Sequence, residues 1–125
     1  MLDGRKILVS LVFAAMAAVF AQSATNASGE AYFRANVKPV LENYCYNCHG
    51  PSKQKAGLRF DQGKSAFTGA TPAVTPGDVE KSLMLSVISY EGRVKMPPKR
   101  RLDDEQIATL RKWIEDGAWW PKETP

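Results

Sequence analysis

The pentapeptide Cys45-Tyr46-Asn47-Cys48-His49 constrains this chain most, because it contains both cysteines and the single histidine of 125 residues. The C-x-x-C-H pattern is the attachment signature of c-type haem in an exported protein. Two thiols three residues apart on one helical turn can each add to a vinyl group on the same porphyrin edge. The following histidine then supplies the proximal bond to the iron. The motif therefore predicts one covalently attached haem c, bound through Cys45 and Cys48, with His49 as an axial ligand.

Other chemistries also use paired cysteines. A structural zinc site needs four ligands, commonly Cys and His, so carboxylates would have to complete the shell here. A thioredoxin-like pair usually follows a strand within a βαβ unit, and no segment of this chain has the alternation of a strand. A disulfide between Cys45 and Cys48 would close a very short loop and add little stability. A non-haem binding module with two free thiols remains an alternative, which titration of free thiols tests.

The first 21 residues have the pattern of a secretory signal peptide. Arg5 and Lys6 form a short positive region, and a run of apolar and small residues extends from Ile7 to Ala21, with a small-residue cleavage pattern at Val19 and Ala21. The run is short for a membrane span, which needs about 20 residues. We therefore expect a periplasmic or otherwise exported protein with no membrane span after signal removal. An uncleaved N-terminal anchor is the alternative.

Beyond this segment, apolar residues recur at spacings of three and four, which predicts an all-α fold with long loops. The first apolar stripe consists of Phe33, Val37, Val40, Leu41 and Tyr44. Pro39 is expected to kink the helix or to start a new one near Lys38, and Gly50-Pro51 to end the segment. The expected organisation is a signal peptide at 1–21, a polar lead at 22–29, one domain at 30–121 and a tail at 122–125.

The later elements are predicted from their capping residues. Residues 50–77 form a long connection suited to wrapping a bound group. Asp78 is the expected N-cap of a short buried helix over 79–88. The last helix has Asp103 at its N-cap and Gln106 at the capping-box position, and Gly117 is its expected stop. The apolar tail with Trp119 and Trp120 is expected to fold back onto the domain.

The second axial ligand must be a residue other than histidine, since His49 is the only one. A methionine thioether is the usual partner in electron transfer, and it raises the reduction potential. Met84 lies in an apolar helical run, where core packing is the better interpretation. Met96 lies in an irregular segment stiffened by Pro97 and Pro98, which favours it as the ligand. The alternative is that Met96 fills a gap in the core.

Further motifs extend over most of the chain. They are Phe33, Val37, Pro39 and Leu41 ahead of Cys45, Cys48, His49, Gly50 and Pro51; Gly57-Leu58-Arg59-Phe60-Asp61; Pro76-Gly77-Asp78 with Lys81-Ser82; Met96-Pro97-Pro98; and Trp113-Ile114 with Gly117-Ala118 and Trp120-Pro121. Together they resemble the planctomycete-type cytochrome c domain over residues 30–121. The resemblance implies a class I cytochrome c fold, with crossing first and last helices, long haem-wrapping loops, and His49 and Met96 as the axial pair. Because this domain is often a module of larger proteins, a chain ending soon after it is expected to be a shuttle or a subunit.

These features favour an exported monohaem electron-transfer protein. The net charge of +4 suits redox partner proteins with an acidic docking surface. No lysine-rich stripe alternates with aromatics, so nucleic-acid binding is not expected. With no second histidine for acid–base work, we expect no enzyme. The alternative is an open-site haem enzyme or a gas or redox sensor. The candidates for pairing haem propionates or docking a partner are Arg59, Arg93, Lys95, Lys99, Arg100 and Arg101.

Overall fold

The computed structural model describes residues 4–68 and 72–122, and all regular elements in these ranges are helical. The α-helices are α1 (Gly4–Tyr32), α2 (Lys38–Tyr44), α3 (Gly63–Phe67), α4 (Leu83–Ser89) and α5 (Asp104–Glu115). A π-helical segment, Phe33–Val37, joins α1 to α2, and a short 3-10 turn covers Lys55–Gly57. The prediction of an all-α chain is confirmed within the described residues.

The junction before α2 shows how one proline shapes the N-terminal half. Pro39 occupies the first turn of α2, where a missing amide hydrogen is tolerated. The preceding turn is widened into a π-helix, in which the Lys38 amide donates to the Phe33 carbonyl five residues back. The predicted restart near Lys38 is confirmed. The predicted stop at Gly50-Pro51 is wrong, since α2 ends at Tyr44 and hydrogen-bonded turns follow.

Two further predictions between residues 50 and 90 need correction. The long connection contains a helix, α3, that its Gly- and Ser-rich composition did not reveal. The next helix begins at Leu83, with Ser82 rather than Asp78 at its N-cap position. The Asp78 carboxylate instead accepts a hydrogen bond from the Lys81 amide at 3.0 Å. Asp78 therefore caps a turn ahead of the helix, a common local use of an Asp side chain.

Helix α5 has the predicted boundaries. The Asp103 carboxylate accepts from the Gln106 amide at 2.8 Å, and the Gln106 side chain accepts from the Asp103 amide at 3.1 Å. This capping box satisfies two amides that have no partner within the helix. The helix ends at Glu115, and Gly117 follows with a φ of 98°, a backbone conformation that favours glycine. The prediction of Gly117 as the stop is confirmed.

The core lies where α5 packs on both the π-helical segment and α4. Its largest fully buried side chains are Trp113, Phe33, Leu41, Leu102, Leu110 and Ile114. The tail folds back as predicted: the Trp113 indole donates to the Trp119 carbonyl at 2.8 Å, and the Trp120 ring lies 5.1 Å from the Phe33 ring. Aromatic packing thus ties the two ends of the domain together.

The N-terminal helix continues without a break through the predicted signal peptide and polar lead into the domain. Four large apolar side chains in its described part are more than half exposed: Val12, Phe13, Met16 and Val19. None of the helices in residues 4–68 and 72–122 is long and apolar enough to cross a membrane. The first three residues of the predicted signal peptide, and the tail after Lys122, lie outside the described residues. The cleavage point stays a prediction.

Candidate functional site

The C-x-x-C-H motif forms a compact turn at the end of α2. The amides of Cys48 and His49 both donate to the Cys45 carbonyl, at 3.2 and 2.9 Å. The two cysteines are half-buried and not joined by a disulfide. This turn places both sulfurs and the imidazole within one turn of backbone, as the sequence predicted, although the regular helix has already ended at Tyr44.

The segment after the motif is fastened to it by backbone hydrogen bonds. The Lys55 amide donates to the Cys48 carbonyl at 3.0 Å, and the Phe60 amide donates to the His49 carbonyl at 2.8 Å. The Gly50 amide donates to the Lys53 carbonyl at 2.8 Å. The Phe60 ring meets the His49 ring nearly at right angles, with 5.7 Å between ring centres. The beginning of the long connection therefore wraps the motif and holds the His49 ring in place.

One hydrogen bond fixes the chemistry of the imidazole. His49 Nδ1 lies 3.0 Å from the Lys55 carbonyl oxygen. A carbonyl oxygen can only accept, so Nδ1 carries the hydrogen and the lone pair of the neutral ring is on Nε2. A histidine that binds a metal characteristically donates its other N–H in this way, which sets the tautomer and the ring orientation. The Nε2 atom of His49 therefore carries the lone pair that a metal could bind.

The cysteine environment argues against thiol chemistry. Burial, together with the neighbouring Cys48, raises the pKa of the Cys45 thiol to about 12. Reactive cysteines and zinc-binding thiolates depend on an accessible, ionised sulfur. Within the described ranges, no three His, Cys, Asp or Glu side chains are grouped closely enough to bind a metal ion. In these ranges, Cys45 and Cys48 therefore lack the further ligands that a structural zinc site needs.

Tyr44 connects the motif to the C-terminal helix. Its hydroxyl accepts hydrogen bonds from Gln106 and Arg100, both at 3.0 Å. The Arg100 guanidinium also lies over the Tyr44 ring, 5.5 Å from its centre. Because Gln106 belongs to the capping box of α5, the start of the motif is positioned by the same residues that begin the last helix.

Met96, the predicted second ligand, lies on the separate segment between α4 and α5. Its amide donates to the Val87 carbonyl at 3.0 Å, its side chain is half-buried, and the Met96–Pro97 peptide bond is cis. Met84 is 3% exposed within the hydrophobic core, which confirms its predicted packing role. The thioether of Met96 and the imidazole of His49 therefore come from different segments, and their role as an axial pair stays a prediction.

The basic residues predicted to pair haem propionates or to dock a partner differ in the contacts that they form. Arg59 pairs with Asp61, and Arg101 pairs with Asp104 at 2.8 Å. Lys95 lies over the Tyr90 ring, 5.6 Å from its centre. The remaining basic residues of this set are exposed on the segment around Met96: Arg93, Lys99 and Arg100.

An all-α fold with a C-x-x-C-H turn and a histidine of this geometry is typical of a haem-binding cytochrome. Residues 45–100 match the family model described as planctomycete cytochrome C. The resemblance seen in the sequence is thereby confirmed for residues 45–100, which are similar to that family. The matched segment extends from Cys45 to Arg100 and so contains both the haem motif and Met96-Pro97-Pro98. No curated protein and no solved structure matches the chain.

Sequence reasoning missed several residues that shape the site. The role of the Lys55 carbonyl could not be predicted from the sequence, because any residue type supplies the same backbone oxygen. Tyr44 was recognised only as the end of an apolar stripe, and its hydroxyl partners come from the last helix. Tyr90 carried no signal beyond its position after a short helix.

Proposed function

We propose that this protein is an exported monohaem electron carrier rather than an enzyme. The observation that carries the proposal is the contact of His49 Nδ1 with the Lys55 carbonyl at 3.0 Å, which leaves Nε2 as the iron ligand. Bound haem would supply one-electron chemistry, its iron alternating between the ferric and ferrous states. Thioether bonds from Cys45 and Cys48 would keep the cofactor on the protein in a dilute compartment.

The protein's own residues would keep the iron six-coordinate. We propose Met96 as the second axial ligand, opposite His49, because it lies on an irregular segment within the family match. The buried Met84 belongs to the core instead. A closed pair of axial ligands leaves no position for oxygen or peroxide, which suits electron transfer. The class I cytochrome c fold, with crossing terminal helices, is part of this proposal, and the packing of α5 on the start of the domain supports it.

We further propose that the N-terminal segment is a signal for export. Its exposed apolar side chains, such as Phe13 at 71% and Val19 at 66%, contribute nothing to the core. Large exposed apolar surface is unfavourable in a mature protein. Removal of the N-terminal segment would take this surface away and leave the core of the domain intact.

The docking surface proposed for acidic redox partners is the basic segment from Arg93 to Arg101. Its charges lie on both sides of Met96, which would bring an acidic partner close to the haem pocket. Screening by salt weakens such attraction over a Debye length of about 8 Å at physiological ionic strength. Reduction by an anionic partner should therefore slow as ionic strength rises, and a flat dependence in stopped-flow measurements would remove this part of the proposal.

The central experiment expresses the protein in a host with c-type haem maturation. One haem's added mass should survive denaturation, and the ferric protein should show the weak sulfur–iron band near the red edge of the spectrum. Met96→Leu removes the sulfur at nearly constant volume and should abolish the band. Met84→Leu is the matched control and should keep it.

The outcomes separate the functions. If Met84→Leu abolishes the band and Met96→Leu keeps it, the ligand is Met84. If the unmodified protein lacks the band and its reduced form binds carbon monoxide strongly, the site is open and the protein is a haem enzyme or a sensor. If the haem is lost on denaturation, covalent attachment through Cys45 and Cys48 is wrong.

A further inference from the structure

The residue that ends α4 has an unusual backbone conformation. Tyr90 follows Ser89 with a φ of 66° and a ψ of 25°, in the left-handed region. Its amide closes the helix by donating to the Ser86 carbonyl. Glycine is the common residue at such a position, and a bulky side chain there is a conformational outlier that costs free energy. An outlier of this kind is kept where the side chain makes contacts that offset its cost.

The Tyr90 side chain contacts the segment that carries Met96. Its hydroxyl donates a hydrogen bond to the Pro97 carbonyl. The Lys95 ammonium lies over its ring, 5.6 Å from the centre. The Met96 amide, in between, donates to the Val87 carbonyl of α4 at 3.0 Å. Three consecutive residues, 95 to 97, are therefore bound to the last turn of α4 and the residue that follows it.

The hydroxyl supplies something that this segment cannot supply itself. Pro97 and Pro98 have no amide hydrogen, so the backbone after Met96 has no donor of its own at these two positions. A carbonyl oxygen, however, still needs a donor. The Tyr90 hydroxyl provides that donor on the C-terminal side of Met96, while the Val87 carbonyl accepts on the N-terminal side.

The far end of this arrangement is rigid. Met84, Leu85 and Ile88 of α4 are 3 to 4% exposed and belong to the core. Because close-packed side chains resist displacement, α4 is a fixed support for the segment. The backbone of Met96 is thus held on both sides by a helix that the core immobilises.

We propose that Tyr90 is a positioning residue for Met96, holding its backbone so that the thioether stays on the haem iron. The inference rests on the proposed function, in which Met96 is the axial ligand. Holding the ligand in place reduces the conformational freedom that is lost each time the sulfur–iron bond forms. Without the hydroxyl, the Met96 backbone would be held less firmly, and external ligands would compete more successfully with the thioether for the iron.

The test compares two variants that each remove one hydroxyl. Tyr90→Phe deletes the donor to Pro97, and Tyr32→Phe deletes the donor to the Thr109 carbonyl, at 3.3 Å, between α1 and α5. Both are made in the haem-loaded protein, and imidazole binding to the ferric form is titrated by the loss of the sulfur–iron band. Loss of one hydrogen bond corresponds to about a five-fold change in an equilibrium. Tyr90→Phe should therefore bind imidazole about five-fold more tightly, and Tyr32→Phe should bind it as the unmodified protein does.

The results distinguish this inference from the proposed function. If the unmodified protein has no sulfur–iron band, ligation by Met96 fails and the inference fails with it. If the band is present and Tyr90→Phe leaves imidazole affinity unchanged, only the positioning role is overturned. Tyr90→Gly removes the hydroxyl while relaxing the left-handed backbone, so it remains informative if Tyr90→Phe folds poorly. It should show the same tighter binding, and unchanged affinity in it would equally overturn the role.

Discussion

Gly50 offers a sharp test of how the haem motif is built, because the chain folds back on itself at this residue. A Cβ added to Gly50 would lie 2.4 Å from the Tyr46 carbonyl oxygen and 3.1 Å from the Tyr46 carbonyl carbon. Favourable contacts between carbon atoms begin at about 3.5 Å. Both obstacles are backbone atoms inside the C-x-x-C-H turn, so no side-chain rotation can relieve the overlap.

Gly50→Ala should therefore displace the turn that carries Cys48 and His49. Overpacking that forces backbone shifts costs about 1–3 kcal/mol, and the rigid neighbours here place Gly50→Ala near the upper end, at about 2–3 kcal/mol. For a domain of this size, that loss lowers the melting temperature by roughly 10–20 °C. The yield of covalently attached haem should fall as well, because the cysteines and the histidine no longer share one geometry.

The assay measures two quantities on the purified protein: the free energy of unfolding in denaturant, and the fraction of chains with one haem by mass. Gly92→Ala is the matched control, since nothing lies within 4 Å of a Cβ added there. It should change stability by less than about 1 kcal/mol. Equal stability and equal haem content in Gly50→Ala and Gly92→Ala would refute the reasoning from close approach.

Two further predictions concern packing and pH. A Cβ added to Gly63 would lie 2.7 Å from Cγ of Trp120. The obstacle is a side chain packed on Phe33 and Trp113 rather than backbone, so Gly63→Ala should cost about 1–2 kcal/mol in denaturant unfolding, and a cost equal to that of Gly50→Ala would contradict this. A hydrogen bond from Arg59 holds the pKa of the Asp61 carboxyl below its usual value, so this contribution to stability is present above pH about 4 and is lost as pH falls through the lower folded pKa. Asp61→Asn should reduce this loss when the free energy of unfolding is measured against pH. Asp104→Asn, at a side chain that is 90% exposed, should leave it in place. If Asp61→Asn and the unmodified protein have identical pH profiles, the Arg59–Asp61 pair contributes nothing to stability.

Local chemistry determined much of this protein from its sequence. The haem motif, the apolar stripe from Phe33 to Tyr44 and the capping box at Asp103 each depend on residues a few positions apart. The restart of the helix at Pro39 follows from a missing amide hydrogen. These features were predictable because their spacing alone brings the groups together.

Predictions from the sequence were wrong or missing where the hydrogen-bond or packing partner of a residue is distant along the chain, or is a backbone atom. Asp78 has the chemistry of an N-cap, but α4 begins only at Leu83. The buried Ser82, at the N-cap position, uses its hydroxyl to accept a hydrogen bond from the distant Thr75 amide at 2.9 Å. Helix α3 contains Gly63, which a propensity argument disfavours, yet a Cβ at that position would have to displace the Trp120 indole.

The ligand geometry shows the same division. Cys45, Cys48 and His49 could be predicted as haem-binding residues because the signature itself specifies them. The tautomer of His49 depends on a backbone carbonyl six residues away, and the support for Met96 depends on the end of a different helix. A backbone oxygen has the same chemistry at every position, so only the tertiary structure decides which one meets the imidazole and which one meets the Tyr90 hydroxyl.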